Sequence, residues 1–256
     1  MTTDDIPADA HPPLEPGIYL VGTPIGNRED ITLRALRVLA NAEVLACEDT
    51  RVTRKLFQRY GIAPPKTLLA CNDHNERTVA RRLAAEAAEG RVAAFCSDAG
   101  MPGISDPGFN IVRAAREAGV RTVAIPGPSA VTTAAALSGL AGGGFTFLGF
   151  PPRRDGRVRA LLERYGRGSA ALLFYESPRR LGRLLRLAEE VLGPEREAAV
   201  CLELTKKFER LVLGSLDELA RAAAGREERG EAVVVIAAAP ERGDRAAPGA
   251  SGMDFP

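Results

Sequence analysis

Short apolar runs alternate with helical segments along the first half of the chain, and this rhythm limits the possible folds more than any other feature. Gly61, Gly90 and Gly119 stand where helical segments stop, as glycine often does. Five strands separated by helices predict an α/β fold, with a mostly parallel sheet covered on both faces. The predicted strands are Ile18–Val21, Val44–Cys47, Thr67–Cys71, Val92–Ser97 and Arg121–Ile125, and the predicted helices are Thr32–Ala40, Arg51–Tyr60, Glu76–Glu89, one that ends at Ala118, and Val131–Leu140.

The second half has a different rhythm, in which two strands follow each other closely. The strands near Ala198–Glu203 and Leu211–Gly214 have a short connection, which predicts a hairpin and therefore a mixed sheet. Ser215 and Glu218 form a capping-box pattern that predicts the start of a helix. The other predicted elements are strand Phe145–Phe150, an arginine-rich helix, strand Ala170–Tyr175, helix Pro178–Leu192 and strand Ala232–Ala238.

The pattern of predicted elements changes at the glycine-rich stretch Gly139–Gly144, where we expect a domain boundary. The expected organisation is a disordered leader at residues 1–16, an N-terminal α/β domain at 17–142, a C-terminal α/β domain at 143–240 and a disordered tail at 241–256. The leader has neither a basic nor an apolar segment of the kind found in signal peptides.

One stretch, Thr122–Pro152, carries no charged residue and is long enough to span a bilayer. Pro126, Pro128 and Gly142–Gly144 interrupt it, and a membrane helix interrupted in this way would leave backbone groups unpaired in lipid. We therefore expect a buried strand, a tight turn and a small-residue helix, in a soluble cytoplasmic protein.

The overall charge is close to neutral, with 34 lysines and arginines against 33 acidic residues. A global field that attracts nucleic acid or an anionic membrane is therefore excluded, and any basic site must be local. The cysteines lack metal-ligand spacing, so we expect buried reduced thiols. They are Cys47, Cys71, Cys96 and Cys201.

A local basic region does occur in the second half of the chain. Ten arginines and three acidic residues lie between Pro151 and Arg186, a local charge of +7. This pattern predicts a phosphate-binding surface, although two solvated helix faces would give the same composition. A smaller basic cluster, at residues 51–59, follows Glu48 and Asp49.

Three loops at the predicted carboxyl ends of strands are rich in glycine and proline. Gly22–Asn27 lacks the lysine and hydroxyl residue of a P-loop and also lacks the GxGxxG dinucleotide pattern. Ser97–Gly108 contains three glycines and two aspartates, and Pro126–Ala130 leads into a helix whose free N–H groups favour an anionic group. Because open α/β sheets bind ligands at these strand ends, the loops predict a bound molecule of cofactor size.

Several polar residues near these loops admit structural roles. Asp106 precedes Pro107 and a helix, so capping of the helix N–H groups is the favoured role. For Asp98, bracing of the loop and ligand contact are equally favoured. A structural role is favoured for His74, and Lys206 is either a surface residue or a substrate contact.

Taken in order, these motifs resemble those of one family. The motifs are Thr23-Pro24-Ile25-Gly26-Asn27, Glu48-Asp49-Thr50-Arg51, His74-Asn75-Glu76, Ser97-Asp98-Ala99-Gly100, Ile104-Ser105-Asp106-Pro107-Gly108, Pro126-Gly127-Pro128-Ser129-Ala130, Tyr175-Glu176-Ser177-Pro178 and Leu204-Thr205-Lys206. Over about residues 17–239 the chain resembles the ribosomal RNA small subunit methyltransferase I family, of the tetrapyrrole-methylase-like superfamily of class III methyltransferases.

The resemblance implies methyl transfer from S-adenosylmethionine to the ribose 2′-hydroxyl of a cytidine in the decoding region of 16S rRNA. It also implies a homodimer of two-domain subunits, each with the cofactor in the cleft between its domains, and it implies no metal. The implied cofactor contacts are Pro24, Asp98, Ala99, Gly100, Ile104, Ser105, Asp106, Pro126, Gly127, Ser129, Ala130 and Tyr175. The implied RNA contacts are Asn27, Arg51, Arg153, Arg154, Arg157, Arg179, Arg180 and Lys206.

A sulfonium is already a strong electrophile, so such an enzyme mainly has to align the hydroxyl for in-line attack. Asp49, His74 and Glu176 are candidate bases for the hydroxyl proton, and the sequence does not choose among them. The chain departs from the family pattern at four positions that concern RNA contacts, and these are Arg28, Asn72, Met101 and Arg179.

Other functions explain less of the sequence. Methylation of a small tetrapyrrole or of a protein side chain would not require the arginine-rich segment. A non-catalytic RNA-binding or ribosome-assembly protein would leave the three shaped loops without a purpose. A nicotinamide-dependent oxidoreductase is disfavoured because the dinucleotide pattern and its downstream acid are absent.

Overall fold

The computed structural model describes residues 12–224 and 230–240. The strands are β1 Gly17–Val21, β2 Val44–Cys47, β3 Thr67–Ala70, β4 Val92–Cys96, β5 Thr122–Ile125, β6 Phe145–Phe147, β7 Ala171–Glu176, β8 Glu197–Leu202, β9 Arg210–Ser215 and β10 Ala232–Ile236. The helices are α1 Leu33–Asn41, α2 Thr50–Tyr60, α3 Glu76–Ala88, α4 Phe109–Glu117, α5 Ala130–Ser138, α6 Asp155–Tyr165, α7 Pro178–Leu192 and α8 Leu216–Ala223. The predicted tail and residues 1–11 of the predicted leader lie outside the described residues.

The first five strands form one parallel sheet in the order β3-β2-β4-β1-β5. Successive residues of a strand point to opposite faces, so each strand contributes to two hydrophobic cores. Tyr19 and Val21 of β1 pack with α1 and α2 on one face. Ile18 of β1 and Phe95 of β4 pack with α3 and α4 on the other. The predicted parallel sheet with helices on both faces is confirmed.

This order of strands creates a place for a ligand. The connections after β1 and β2 cover one face, whereas those after β3 and β4 cover the other. Strand β4 lies between β1 and β2. In each of these two strand pairs, the connection after β4 runs over one face of the sheet and the connection after its neighbour runs over the opposite face. Open α/β sheets form a binding crevice at the carboxyl ends of such strand pairs.

The second sheet has the order β6-β7-β10-β8-β9. Strands β6 and β7 are parallel, while β8 and β9 are joined by residues 203–209, which is too short for a parallel crossover. The predicted mixed sheet is therefore confirmed. The predicted capping box is also present, because Ser215 Oγ accepts from Glu218 N at 3.2 Å and Glu218 Oε2 accepts from Ser215 N at 2.9 Å.

Strand β6 is shorter than predicted. The sequence predicts a strand to Phe150, but β6 ends at Phe147. Gly149 has a φ of +65°, in the left-handed region that glycine enters without strain, and this residue turns the chain out of the strand.

The charge-free stretch forms a strand, a turn and a helix, as expected, and these are followed by β6. The expectation that its first strand is buried is wrong, because β5 lies at the edge of the sheet and only Ile125 in it is buried. No helix within residues 12–224 and 230–240 is both long enough and apolar enough to cross a membrane. All four cysteines are buried and free, as predicted. Burial raises the pKa of the Cys71 thiol to about 12 and that of Cys201 to about 11, so both are protonated at neutral pH.

Contacts between Cα atoms divide the chain into two compact units. The first runs to Ala134 and also contains Cys201–Arg210 and Gly230–Val233. The second contains Ala135–Val200 and resumes at Leu211 and again at Val234. The domain limits expected at residues 17–142 and 143–240 remain a prediction.

Candidate functional site

The loops that follow β1 and β4 are joined by a backbone bridge. Thr23 N donates to Gly100 O and Gly100 N donates to Thr23 O, both at 3.0 Å. The Thr23 hydroxyl is buried and donates to Ser97 O at 3.2 Å. Gly100 has a φ of +84°, which a residue with a Cβ rarely adopts. The glycine and the buried threonine therefore fix the two loops together at the crevice.

The loops that follow β1 and β5 touch through two glycines. A Cβ added to Gly22 would lie 2.8 Å from Gly127 Cα, and one added to Gly127 would lie 2.8 Å from Gly22 Cα. Only residues without a side chain allow two backbones to approach so closely. All three loops predicted to contact the cofactor are thus brought together at one edge of the sheet.

The loop between β4 and α4 is folded on itself. Gly103 N donates to Pro107 O at 2.9 Å, and a Cβ on Gly108 would lie 2.8 Å from Gly103 N. This closure exposes the tip, where Ile104 is 45% exposed and Ser105 adopts a φ of +62°. A left-handed non-glycine residue is a strained feature of the kind that clusters at binding sites.

The capping role predicted for Asp106 is wrong. The N–H groups of Gly108 and Asn110, at the start of α4, donate to Glu76 Oε1 at 2.7 and 3.0 Å. Asn110 Nδ2 also donates to Glu76 Oε2 at 2.5 Å. Glu76 is only 7% exposed and caps α4 from the start of α3, a contact that local spacing does not reveal. Asp106 makes no hydrogen bond within residues 12–224 and 230–240.

Acidic groups gather at the carboxyl ends of β2, β3 and β4. Burial raises the pKa of Asp106 to about 7, and the negative charges of Glu48, Asp98 and Asp73 act in the same direction. Burial likewise raises the pKa of Glu48 and that of Asp98. This edge of the sheet therefore favours a positively charged ligand.

Asp98 braces the loops after β2 and β4. Its Oδ1 accepts from Asp49 N at 3.0 Å, and its own N–H donates to Glu48 Oε2 at 2.9 Å. The bracing role weighed for Asp98 is therefore present. Its second carboxylate oxygen takes no part in these contacts.

Asp49 and His74, two of the candidate bases, lie in the first unit. Asp49 caps α2 through Arg51 N at 2.8 Å and pairs with the Arg51 guanidinium at 2.5 Å. These hydrogen bonds lower the pKa of Asp49 to about 2, which makes it a weak proton acceptor. His74 is exposed, and its backbone N–H donates to Asn72 Oδ1 at 3.0 Å in the turn before α3.

Lys206 lies beside the loop after β1. Its ammonium pairs with Glu203 Oε1 at 2.9 Å and with Glu231 Oε2 at 2.8 Å. Asn27 N donates to Thr205 Oγ1 at 2.9 Å, and Thr205 has a φ of +65°. The positive charge of Lys206 is thus neutralised in place, a feature that the sequence reasoning missed because Glu231 is 25 residues away.

The third candidate base, Glu176, lies in the second unit at the end of β7. Its side chain is 1% exposed, and its Oε1 accepts from Ser177 N at 2.7 Å and from Arg180 Nη2 at 2.7 Å. Its Oε2 is buried and has no hydrogen-bond partner among the described residues. Tyr175, the residue before it, packs edge to face on Phe147 with ring centroids 4.8 Å apart.

The arginine-rich segment is only partly neutralised. Arg159, Arg180 and Arg183 pair with Glu190, Glu176 and Asp155. The remaining arginines make no ion pair with a carboxylate in the part of the chain that the structure describes, and these are Arg153, Arg154, Arg157, Arg164, Arg167, Arg179 and Arg186. The predicted RNA contacts Arg153, Arg154, Arg157 and Arg179 all belong to this unpaired set and are exposed.

A model of the family "Tetrapyrrole (Corrin/Porphyrin) Methylases" matches residues 17–220. The chain therefore belongs to the tetrapyrrole methylase family. It is 47% identical to the ribosomal RNA small subunit methyltransferase I of Mesorhizobium japonicum, over 92% of this chain and 80% of that protein. It is 42% identical to the protein of the same name from Halalkalibacterium halodurans, over 86% of this chain and 75% of that protein. The resemblance inferred from the motifs is confirmed.

A solved structure agrees with the fold. The uroporphyrin-III-C-methyltransferase from Thermus thermophilus superposes with a TM-score of 0.59 at 25% identity, over 86% of this chain and 93% of that one. Among the residues the structure describes, no cluster of three or more His, Cys, Asp or Glu side chains could hold a metal ion.

Proposed function

We propose that this chain uses S-adenosylmethionine to methylate a cytidine ribose 2′-hydroxyl in the decoding region of 16S rRNA. Its relatives at 47% and 42% identity bear the name of a small subunit rRNA methyltransferase. The observation that carries the proposal is the joining of three loops, through Thr23, Gly100, Gly22 and Gly127, at the crevice of the first sheet.

The chemistry of this crevice fits the methyl donor. S-adenosylmethionine supplies an electrophilic methyl group on a sulfonium cation, and the raised pKa values of Glu48, Asp98 and Asp106 favour a cation nearby. The backbone groups of the three joined loops offer donors and acceptors to the uncharged parts of the donor. The residues that would hold it are Pro24, Asp98, Ala99, Gly100, Ile104, Ser105, Asp106, Pro126, Gly127, Ser129, Ala130 and Tyr175.

The chain's own part in the reaction is to align the hydroxyl and to accept its proton. Of the three candidate bases, Asp49 is held ionised by Arg51 and is poorly matched to proton transfer near neutral pH. Glu176 keeps one carboxylate oxygen without a partner among the described residues, and His74 is open to solvent. We therefore rank Glu176 and His74 above Asp49.

The unpaired arginines of the second unit are proposed to hold rRNA phosphates, since guanidinium groups pair with phosphate oxygens in a fixed fork. Asn27, Arg51, Lys206 and Arg180, the last of which also pairs with Glu176, complete the proposed RNA contacts. We further propose that the protein acts in the cytoplasm as a homodimer.

The proposal is tested with methyl-labelled S-adenosylmethionine and small ribosomal subunits from cells that lack this activity. Label on a single cytidine ribose, located by nuclease mapping and mass spectrometry, is the expected result. Binding of the donor without label on either subunits or naked 16S rRNA would instead indicate a methylase of small molecules or proteins. No binding of the donor would indicate an RNA-binding module.

The base is identified with the variants Asp49→Asn, His74→Gln and Glu176→Gln in the same assay. Loss of kcat with a retained affinity for the donor is expected for Glu176→Gln or His74→Gln. Full activity in all three variants would exclude each of these residues as the base.

A further inference from the structure

The strand pair β6 and β7 ends in an aromatic cluster with one exposed ring. The rings of Phe147 and Tyr175 meet edge to face, and the ring of Phe150 lies 5.5 Å from that of Tyr175 at an angle of 57°. Phe150 is 57% exposed, whereas Phe147 and Tyr175 are half-buried. One ring of the cluster is therefore available to a ligand.

The backbone holds Phe150 in place. Tyr175 N donates to Gly149 O at 3.1 Å, and the positive φ of Gly149 sets the direction in which the chain leaves the sheet. Pro151 is buried and restricts Phe150 to extended backbone conformations. A ring held in this way loses little conformational entropy when it binds a partner.

Single exposed hydrophobic residues are common on protein surfaces. The residues around Phe150 therefore determine whether its exposure indicates a binding site. Arg153 and Arg154 follow it along the chain, and Arg179 lies in the first turn of α7, just after β7. All three are exposed and unpaired with any described carboxylate. Arg183 secures the loop that carries Arg153 and Arg154, because it donates to Arg153 O at 2.8 Å and to Asp155 Oδ1 at 2.7 Å.

An exposed aromatic ring among unpaired guanidinium groups suits a polyanion that also carries flat rings. Single-stranded RNA has both features, since its bases stack on aromatic side chains while its phosphates pair with arginine. A hydrophobic protein surface would leave the arginines desolvated without a counter-charge. Charge complementarity therefore favours RNA as the occupant.

We propose that Phe150 stacks against an unpaired base of the RNA substrate while Arg153, Arg154 and Arg179 hold the adjoining phosphates. The inference rests on the proposed function, because it requires RNA as the substrate. Chemistry on a nucleotide often requires the base to leave its stack, and an aromatic ring compensates for the lost stacking. Phe150 then positions the substrate and takes no part in proton or methyl transfer.

The sequence permits a direct test, because the chain contains no tryptophan. Phe150→Trp places a single indole fluorophore at the proposed stacking position. Phe145→Trp is the matched control, since Phe145 is 40% exposed and begins β6 at the end opposite to Phe150. Each variant is titrated with a short single-stranded RNA and with an abasic strand of the same length, and binding is followed independently by anisotropy of the labelled strand.

Quenching of the Phe150→Trp fluorescence by RNA but not by the abasic strand is the expected result, with neither strand quenching Phe145→Trp. The proposal is overturned if both strands bind but quench Phe150→Trp equally, or if RNA binds without quenching it.

Activity supplies a second and separate readout. Phe150→Ala is expected to lower kcat/KM for small ribosomal subunits by about ten- to a hundredfold, and Phe150→Trp to restore most of the loss. Because Phe150 packs on Tyr175, a proposed donor contact, donor affinity and thermal stability are measured in the same variants, and the loss of kcat/KM is expected to exceed any loss of donor affinity. Wild-type activity in Phe150→Ala would refute stacking, whereas inactivity of the wild-type protein on subunits and naked rRNA would refute the proposed function instead.

Discussion

The facing glycines Gly22 and Gly127 show how single residues shape the candidate site. Each occupies a position where the other backbone leaves no space for a Cβ. The loop after β1 and the loop after β5 can therefore share one crevice only if both positions lack a side chain. This requirement is separate from turn formation, which is the usual reason for glycine in a loop.

Gly127→Ala is expected to destabilise the protein by about 1–3 kcal/mol, because the added methyl group forces the two loops apart. It is also expected to weaken binding of S-adenosylmethionine, since the same loops form the proposed donor site. Urea denaturation and calorimetric titration measure the two effects. Gly156→Ala is the control, because it adds a methyl group in open space within α6, and it is expected to stabilise the protein by about 0.5–1 kcal/mol. Equal stability of the two variants would contradict the steric explanation.

Burial brings the pKa of Asp106 to about 7, so the charge of this carboxyl changes near neutral pH. Its pKa in the folded protein is about 7, above the ~3.9 expected in an unfolded chain, so the folded state retains the proton between these values. The contribution of the Asp106 carboxyl to the free energy of unfolding is fully present below pH 4 and is lost as the pH rises through 7. Asp106→Asn is therefore expected to be more stable than the wild type at pH 8, by on the order of 1 kcal/mol, and to lose this advantage at pH 4. Denaturation curves at both pH values test the sign.

The same ionisation is expected to affect the methyl donor. Above pH 7 the Asp106 carboxylate adds a negative charge to those of Glu48 and Asp98, so the affinity for the S-adenosylmethionine cation should rise from pH 6 to pH 8. Asp106→Asn should remove most of this dependence. S-adenosylhomocysteine, which lacks the sulfonium charge, should show a weaker dependence in the same titrations. Identical pH profiles for Asp106→Asn and the wild type would exclude Asp106 as the source.

At the scale of elements, α3 and α4 are coupled by one buried carboxylate. Glu76 accepts the N–H groups of Gly108 and Asn110 at the start of α4 and also contacts the Asn110 side chain. It thereby holds the end of the loop that carries Asp98 and Asp106.

Glu76→Ala is expected to cost about 3 kcal/mol of stability, because it leaves buried N–H groups of α4 without acceptors. Amide hydrogen exchange at Gly108 and Asn110 should accelerate more than exchange in β4. Glu117→Ala, which removes an exposed ion pair with Arg113 at 3.8 Å, is the control on the same helix and should change stability by about 0.5 kcal/mol or less. Unchanged exchange at Gly108 in Glu76→Ala would contradict the capping role.

The sequence predicts the elements well because their signals are local. The strands of the first sheet follow from apolar runs of a few residues, and the Ser215–Glu218 cap follows from a spacing of three. The capping role predicted for Asp106 is wrong because the true cap, Glu76, comes from another helix. The pairing of Lys206 with Glu231 is not predicted because Glu231 lies on a distant segment. Contacts between residues that are distant in sequence form only in the folded chain, so a short sequence window does not predict them.

At the scale of the whole molecule, the proposed RNA-binding surface is a local basic patch on a nearly neutral protein. Arg153→Gln combined with Arg154→Gln is expected to lower the slope of log affinity against log salt by about 0.7 for each arginine on single-stranded RNA. Donor affinity should not change. The control is the double variant Arg82→Gln with Arg116→Gln, which removes the same charge from α3 and α4. It should leave the salt slope unaltered. The assignment fails if both double variants alter the slope equally.

The division of the chain into units also has a consequence for its synthesis. The first unit includes Cys201–Arg210 and Gly230–Val233, and Thr205 supplies the hydroxyl that binds Asn27 N. A ribosome that has just completed α5 still has about a hundred residues to add before these segments exist, which takes roughly 5–20 s at bacterial rates. During that interval the loop after β1 lacks its hydrogen-bond partner, so the proposed donor site at this loop acquires its full set of contacts only after both later segments have been synthesised.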